Sequence, residues 1–180
     1  NAAECWARGT ATFMILGDIC TRACKFCNVK TGRPLPPDTK EPLRIARSIQ
    51  IMKIKHAVIT SVDRDDLPDG GAHLWADTIN KVKELNPDTT MEVLIPDFNG
   101  KGELIQIVMD AKPEVISHNM ETVRRLTPTI RSKAKYDVSL QTLKYIVDGG
   151  LVAKSGIMLG LGETEEEVLQ TMDDLLAVGV

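Results

Sequence analysis

Apolar residues along this chain fall into short runs that alternate with helix-like stripes. Residues 11–16 (Ala-Thr-Phe-Met-Ile-Leu) form a continuous apolar run, the pattern of a strand buried on both faces. Ala57-Val58-Ile59-Thr60, Met91-Glu92-Val93-Leu94-Ile95, Val115-Ile116-Ser117 and Ser155-Gly156-Ile157-Met158-Leu159 read as further strands. Between them, Leu43, Ala46, Ile49 and Met52 recur in steps of three and predict a helix over 43–53. Leu74, Trp75, Ile79, Val82 and Leu85 predict the next helix, closed by Asn86-Pro87. Leu104, Ile105, Val108 and Met109 predict another, and residues 136–148 one more. Thr164 and Glu167 have the spacing of a capping box that opens a last helix, with Val168, Met172 and Leu175 on one face. Residues 1–10 read as irregular, and 31–42, with five Gly and Pro residues, as an extended connection.

Strand and helix thus alternate about five times, which predicts parallel βα units and an α/β fold. The pattern alone does not choose between an open doubly wound sheet and a partial barrel. In both, ligands lie at the carboxyl ends of the strands. The loops 18–27, 62–71, 96–100, 118–121 and 160–163 each follow a strand, so the expected site lies where they converge.

Composition narrows the function classes. A length of 180 residues suits one domain with a sizeable core. A net charge of -3, 4% aromatics and no dense basic run argue against nucleic acid as a partner. No apolar run approaches the ~20 residues of a membrane span. The chain opens at Asn1 and stops at Gly179-Val180 just after a helical pattern, so it reads as a piece of a longer protein.

The chemistry concentrates after the first strand. Three of four cysteines, Cys20, Cys24 and Cys27, fall within eight residues at spacing Cys-x3-Cys-x2-Cys. Bridging so tight a set would close very small loops, so reduced thiols fit better than disulfides. A [4Fe–4S] cluster usually takes four cysteines, and a loop offering three leaves one iron open. The competing reading is zinc held by Cys5 with these three, although paired Cys-x2-Cys knuckles are the more usual zinc spacing. A lone cysteine such as Cys5 is more often buried and inert. Asp63, Asp65, Asp66 and Asp69 read partly as a solvated acidic loop.

These cysteines, with Phe26 before the last, resemble the signature of the radical S-adenosylmethionine (SAM) superfamily. Glu4-Cys5-Trp6, Gly9–Met14, Thr60–Gly71, His118–Thr122 and Met158–Glu163 together resemble lipoyl synthases, over nearly the whole chain. The resemblance implies a partial (β/α)6 barrel of the TIM type over residues 11–180, lacking its last βα unit, with residues 1–10 ending an N-terminal auxiliary-cluster segment. It implies that Cys20, Cys24 and Cys27 hold the catalytic [4Fe–4S] cluster, and that S-adenosylmethionine, bound at the open iron, yields a radical that takes hydrogen from an unactivated C–H bond. Cys5 would be one ligand of a second, sulfur-donating [4Fe–4S] cluster whose other ligands lie outside this chain. Gly70 and Gly71 would receive the methionine amino group, Asn119 and Glu121 the ribose and methionine moieties, and Met158 and Gly160 would lie beside the adenine. Arg124 and Arg131 are candidates for the methionine carboxylate. His118 lies near the site without an assigned role. The implied reaction inserts sulfur at C6 and C8 of an octanoyl chain on a lipoyl carrier domain or glycine-cleavage H-type protein. The implied partners are a ferredoxin- or flavodoxin-type electron donor and an iron–sulfur carrier, in the cytoplasm, or in mitochondria if eukaryotic. A biotin synthase-like sulfur inserter is the nearest alternative, and the text around Cys5 and residues 63–71 weighs against it. Ala23 and Lys25 depart from the family text, where glycine and arginine are usual, and neither is a ligand.

Overall fold

The structure, a computed structural model, describes residues 2–180. It opens with helix α1 (Ala2–Ala7), where an irregular segment was expected from sequence. Alanine-rich text favours helix, and Arg8 pairs back to Glu4 across one turn at 2.8 Å. Strand β1 (Thr10–Ile15) follows, then the short pair β2 (Ile19–Cys20) and β3 (Lys30–Thr31), which brackets the cysteine loop. Helix α2 (Glu41–Met52), strand β4 (His56–Ser61), helix α3 (Ala72–Leu85) and strand β5 (Thr90–Leu94) come next. Helix α4 (Gly102–Asp110), strand β6 (Val115–Ser117) and the single turn α5 (Thr127–Ile130) precede α6 (Tyr136–Asp148), β7 (Val152–Lys154) and α7 (Glu165–Ala177).

The main sheet runs β1-β4-β5-β6-β7, parallel throughout and in sequence order, as expected of successive βα units winding round a barrel. Each strand faces its helices with alternate residues. Ala57, Ile59, Met91, Val93 and Ile116 are fully buried against Ile49, Trp75, Ile79 and Ile105. Residues of the other parity are less covered: Thr12 and Met14 are exposed, so β1 is buried on one face, not both. Thr164 and Glu167 form the expected capping box at the start of α7.

The fifth strand sits earlier than its apolar text suggested. Val115, Ile116 and Ser117 pair with Val152, Ala153 and Lys154, whereas Ile157-Met158-Leu159 lies in the following loop, held by a single bridge between Glu121 and Ile157. Among the described residues no helix is long and apolar enough to cross a membrane.

Candidate active site

Four non-glycine residues with positive φ mark the carboxyl ends of the strands: Leu16 after β1, Phe98 and Asn99 after β5, and Glu121 after β6. Strained backbone of this kind persists only where surroundings enforce it. At this end lies a cavity of about 200 Å³ that brings together Cys20, Cys24, Phe26 and Cys27 with Asn119, Glu121 and Arg131. Seven of the site residues expected from sequence therefore share one cavity.

The cysteine loop is held by hydrogen bonds from every side. Gly32 N–H donates to Cys20 O, Thr21 N–H to Asp63 O, Ala23 N–H to Ser132 Oγ and Lys25 N–H to Ile130 O, all at 2.9–3.0 Å. Backbone N–H groups of Arg22 and Asp63 both point at Cys20 Sγ from 3.3 Å. Burial raises the Cys20 pKa, and these two N–H groups oppose that rise.

The strongest anchor is Arg22, inside the cysteine motif itself, with its side chain only 3% exposed. Its Nε and Nη2 donate to the two carboxylate oxygens of Asp65 at 2.8 and 2.9 Å. Its Nη1 and Nη2 donate to Asp97 at 3.1 and 2.8 Å. Two bidentate pairs on one guanidinium lock its plane. Asn99 Nδ2 also donates to Asp65, at 3.0 Å. Burial disfavours charge on all three groups, but their mutual bonds outweigh it, holding Asp65 well below the usual carboxylate range, lowering Asp97 and raising Arg22. The reading of a solvated acidic loop gives way to specific partners. Asp66 pairs with Arg64 at 2.9 Å, and Asp69 accepts from the N–H groups of Gly71 and His73.

Asp63 differs: burial pushes its pKa up, Arg22 offsets part of the rise, and its Oδ1 has no hydrogen-bond partner. Ser61 Oγ and Arg131 Nε, also in the cavity wall, are likewise buried without partners. Glu121 is raised too, by burial, with Asn119 Nδ2 donating to it at 3.2 Å. A Cβ on Gly156 would meet Asn119 Oδ1 at 3.2 Å, so that glycine leaves room for the amide.

Other expected residues lie elsewhere. Gly70 lines a neighbouring cavity of about 310 Å³ that shares Arg22 and Asp63 with the first. Gly71, at φ +87°, is required by packing: a Cβ there would meet Leu16 Cδ1 at 2.6 Å. Arg124 is turned outward, paired with Asp137 at 2.6 Å and stacked on Tyr136, so it does not reach the cavity. Met158 is tied to the site only through its N–H, which donates to Glu121 O at 2.9 Å, and Gly160 is exposed in the same loop. Cys5 is exposed on α1 and does not line the cavity.

His118 is fully buried, and burial lowers its pKa to about 4 against a hydrogen bond to Ile95 O that favours charge. Below about 6.5 the unfolded chain takes up a proton that the folded imidazole refuses, so stability falls as pH drops from 6.5 towards 4. By pH 5 the loss is about 2 kcal/mol. Urea midpoints at pH 7 and pH 5, for wild type and His118→Gln, should show that loss diminished in the variant. An equal loss in both would refute it.

The cavity suits the groups that three thiols and unpaired polar atoms imply. Cys20, Cys24 and Cys27 line this cavity together. A cubane takes its thiolates at separate corners. Ser61 Oγ and Arg131 Nε, buried in the cavity wall without hydrogen-bond partners, leave polar capacity that a small polar molecule could use.

The radical SAM superfamily profile matches residues 14–175, and the chain belongs to that superfamily. Membership implies S-adenosylmethionine and a [4Fe–4S] cluster as cofactors. The fold is that of methylornithine synthase (TM-score 0.74, 13% identity, covering 93% of this chain and 50% of that one). It is also that of Streptococcus suis SuiB bound to S-adenosylmethionine (TM-score 0.72, 13% identity, 99% and 41%). Within the superfamily the chain is similar to lipoyl synthases. It is 66% identical to that of Parabacteroides distasonis over 180 residues, all of this chain and 64% of the relative. Against that of Treponema denticola it is 63% identical over 175 residues, 97% and 60%. The chain therefore spans less than two thirds of the relatives' length.

Proposed function

We propose that this chain is the radical core of a lipoyl synthase, which inserts sulfur at C6 and C8 of an octanoyl group carried on a lysine of a lipoyl domain or H-type protein. The observation that carries this reading is one cavity holding Cys20, Cys24, Cys27, Asn119, Glu121 and Arg131. Its support from outside is the 66% identity to a lipoyl synthase along the full chain.

Cys20, Cys24 and Cys27 would hold the cluster as thiolates. The cluster and S-adenosylmethionine, when bound, supply one-electron chemistry strong enough to take hydrogen from an unactivated C–H bond. The residues position and shield that chemistry. Asn119 and Glu121 present an amide and a carboxylate suited to ribose hydroxyls and the methionine ammonium. Arg131 presents unpaired N–H groups for the methionine carboxylate. Phe26 adds an apolar ring to the cavity lining. Gly70, Gly71, Met158 and Gly160 lie outside this cavity, Gly70 lining its neighbour. Cys5, outside the cavity, is assigned to the second, sulfur-donating cluster, completed by ligands beyond this chain. A ferredoxin- or flavodoxin-type donor would deliver the electron, an iron–sulfur carrier the clusters, and the setting would be the cytoplasm.

The test is anaerobic reconstitution with iron and sulfide, then dithionite and S-adenosylmethionine. Formation of 5′-deoxyadenosine, and of a lipoyl group when the complete protein meets an octanoylated carrier, is the expected result. Radical chemistry in the complete protein without sulfur transfer to that carrier would sink the substrate assignment.

A further inference from the structure

Arg131 follows α5 and is 8% exposed, yet its charge is offset only at longer range, by Asp97, Glu121 and Cys24. Its Nη1 donates to Ser139 Oγ at 2.9 Å and to Met120 O at 3.3 Å. Among the described residues Nε and Nη2 have no hydrogen-bond partner. Burying an arginine this way is costly unless something anionic completes it.

What holds Nη1 is a relay whose direction is forced from its far end. Ile95 O, just past β5, can only accept, so His118 Nδ1, at 2.9 Å, carries the proton. The neutral ring then leaves Nε2 as an acceptor, and Ser139 Oγ, at 2.9 Å, donates its only proton there. The Ser139 lone pairs therefore face Arg131. Ser139 is fully buried on the stripe of α6 otherwise formed by Tyr136, Thr142, Leu143 and Ile146.

We propose that His118 and Ser139 are positioning residues that fix the Arg131 guanidinium so that its free edge receives the carboxylate of S-adenosylmethionine. The inference rests on the assignment of Arg131 made above, and the experiment separates the two.

The probes are S-adenosylmethionine and its decarboxylated analogue, their affinities measured by equilibrium dialysis on the anaerobically reconstituted protein. The readout is the ratio of the two. Arg131→Met should narrow the ratio about tenfold or more, as expected for losing charged hydrogen bonds. Ser139→Ala should narrow it several-fold, and should add nothing on top of Arg131→Met. Affinity for the decarboxylated analogue should stay unchanged throughout, which a general packing defect would not allow. His118→Asn keeps a donor for Ile95 O but offers Ser139 no acceptor, and should narrow the ratio. His118→Gln restores the acceptor and should rescue it. Should Ser139→Ala fail to fold, the Asn and Gln pair carries the test by the same ratio. A ratio unchanged in Ser139→Ala and His118→Asn, but narrowed in Arg131→Met, overturns the relay alone. A ratio unchanged in Arg131→Met overturns the carboxylate assignment with it.

Discussion

Arg22→Met is expected to leave a protein that cannot hold its cluster: iron and sulfide after reconstitution should fall to a small fraction of the wild-type content. 5′-Deoxyadenosine formation should drop at least about 100-fold, as misplacing a reacting group by an ångström does. Methionine keeps the apolar stem of arginine but gives nothing to Asp65 or Asp97. Two carboxylates would stay behind, with side chains 12% and 3% exposed, and removing one partner of such a buried pair costs about 3–5 kcal/mol. The loop can escape that cost by swinging away, and Cys20 and Cys24 would swing with it. Arg22→Lys should give an intermediate loss, because a point charge cannot make both bidentate pairs. Iron analysis beside a thermal melt separates the effects. Full iron loading in Arg22→Met would show that the cysteine loop needs no anchor.

The sheet was legible because most of its strands centre on short runs of apolar or β-branched residues, interrupted in β5 only by Glu92. Its last strand was misplaced because Ile157-Met158-Leu159 is the more apolar text, yet Leu159 is 70% exposed in a loop. The true strand, Val152–Lys154, has three residues and leaves Val152 61% exposed, so neither length nor burial announced it. The cysteines, Asn119 and Glu121 were legible as chemistry-bearing types after strands, whereas Arg131, which follows α5, came only from the resemblance. Arg22 was hidden because its partners stand 43 and 75 residues away, and nothing local pairs with it. His118 and Ser139 left a fainter trace: a serine on the apolar stripe of α6 is a buried hydroxyl that needs a partner. At Gly71 the left-handed backbone and the closeness of Leu16 give glycine a packing reason beside the ligand contact that the resemblance implies.

Cys24→Ala and Cys5→Ala should fail in different ways, because the two thiols belong to different places. Cys24 lines the cavity with Cys20 and Cys27, while Cys5 is exposed on α1 outside it. On the proposed function two cubanes would hold about eight irons in the complete protein, and each variant should lose about half. Cys24→Ala should reduce 5′-deoxyadenosine to the uncatalysed background, since a loop of two thiols cannot hold the cluster that receives the electron. Cys5→Ala should keep forming 5′-deoxyadenosine at close to the wild-type rate, yet transfer no sulfur to an octanoylated carrier. Iron content and the two product assays on the same preparations check this. If Cys5→Ala instead removed 5′-deoxyadenosine along with all the iron, Cys5 and the loop would serve one centre. The exposure of Cys5 on its own helix would then reflect a segment that folds over only when the metal arrives.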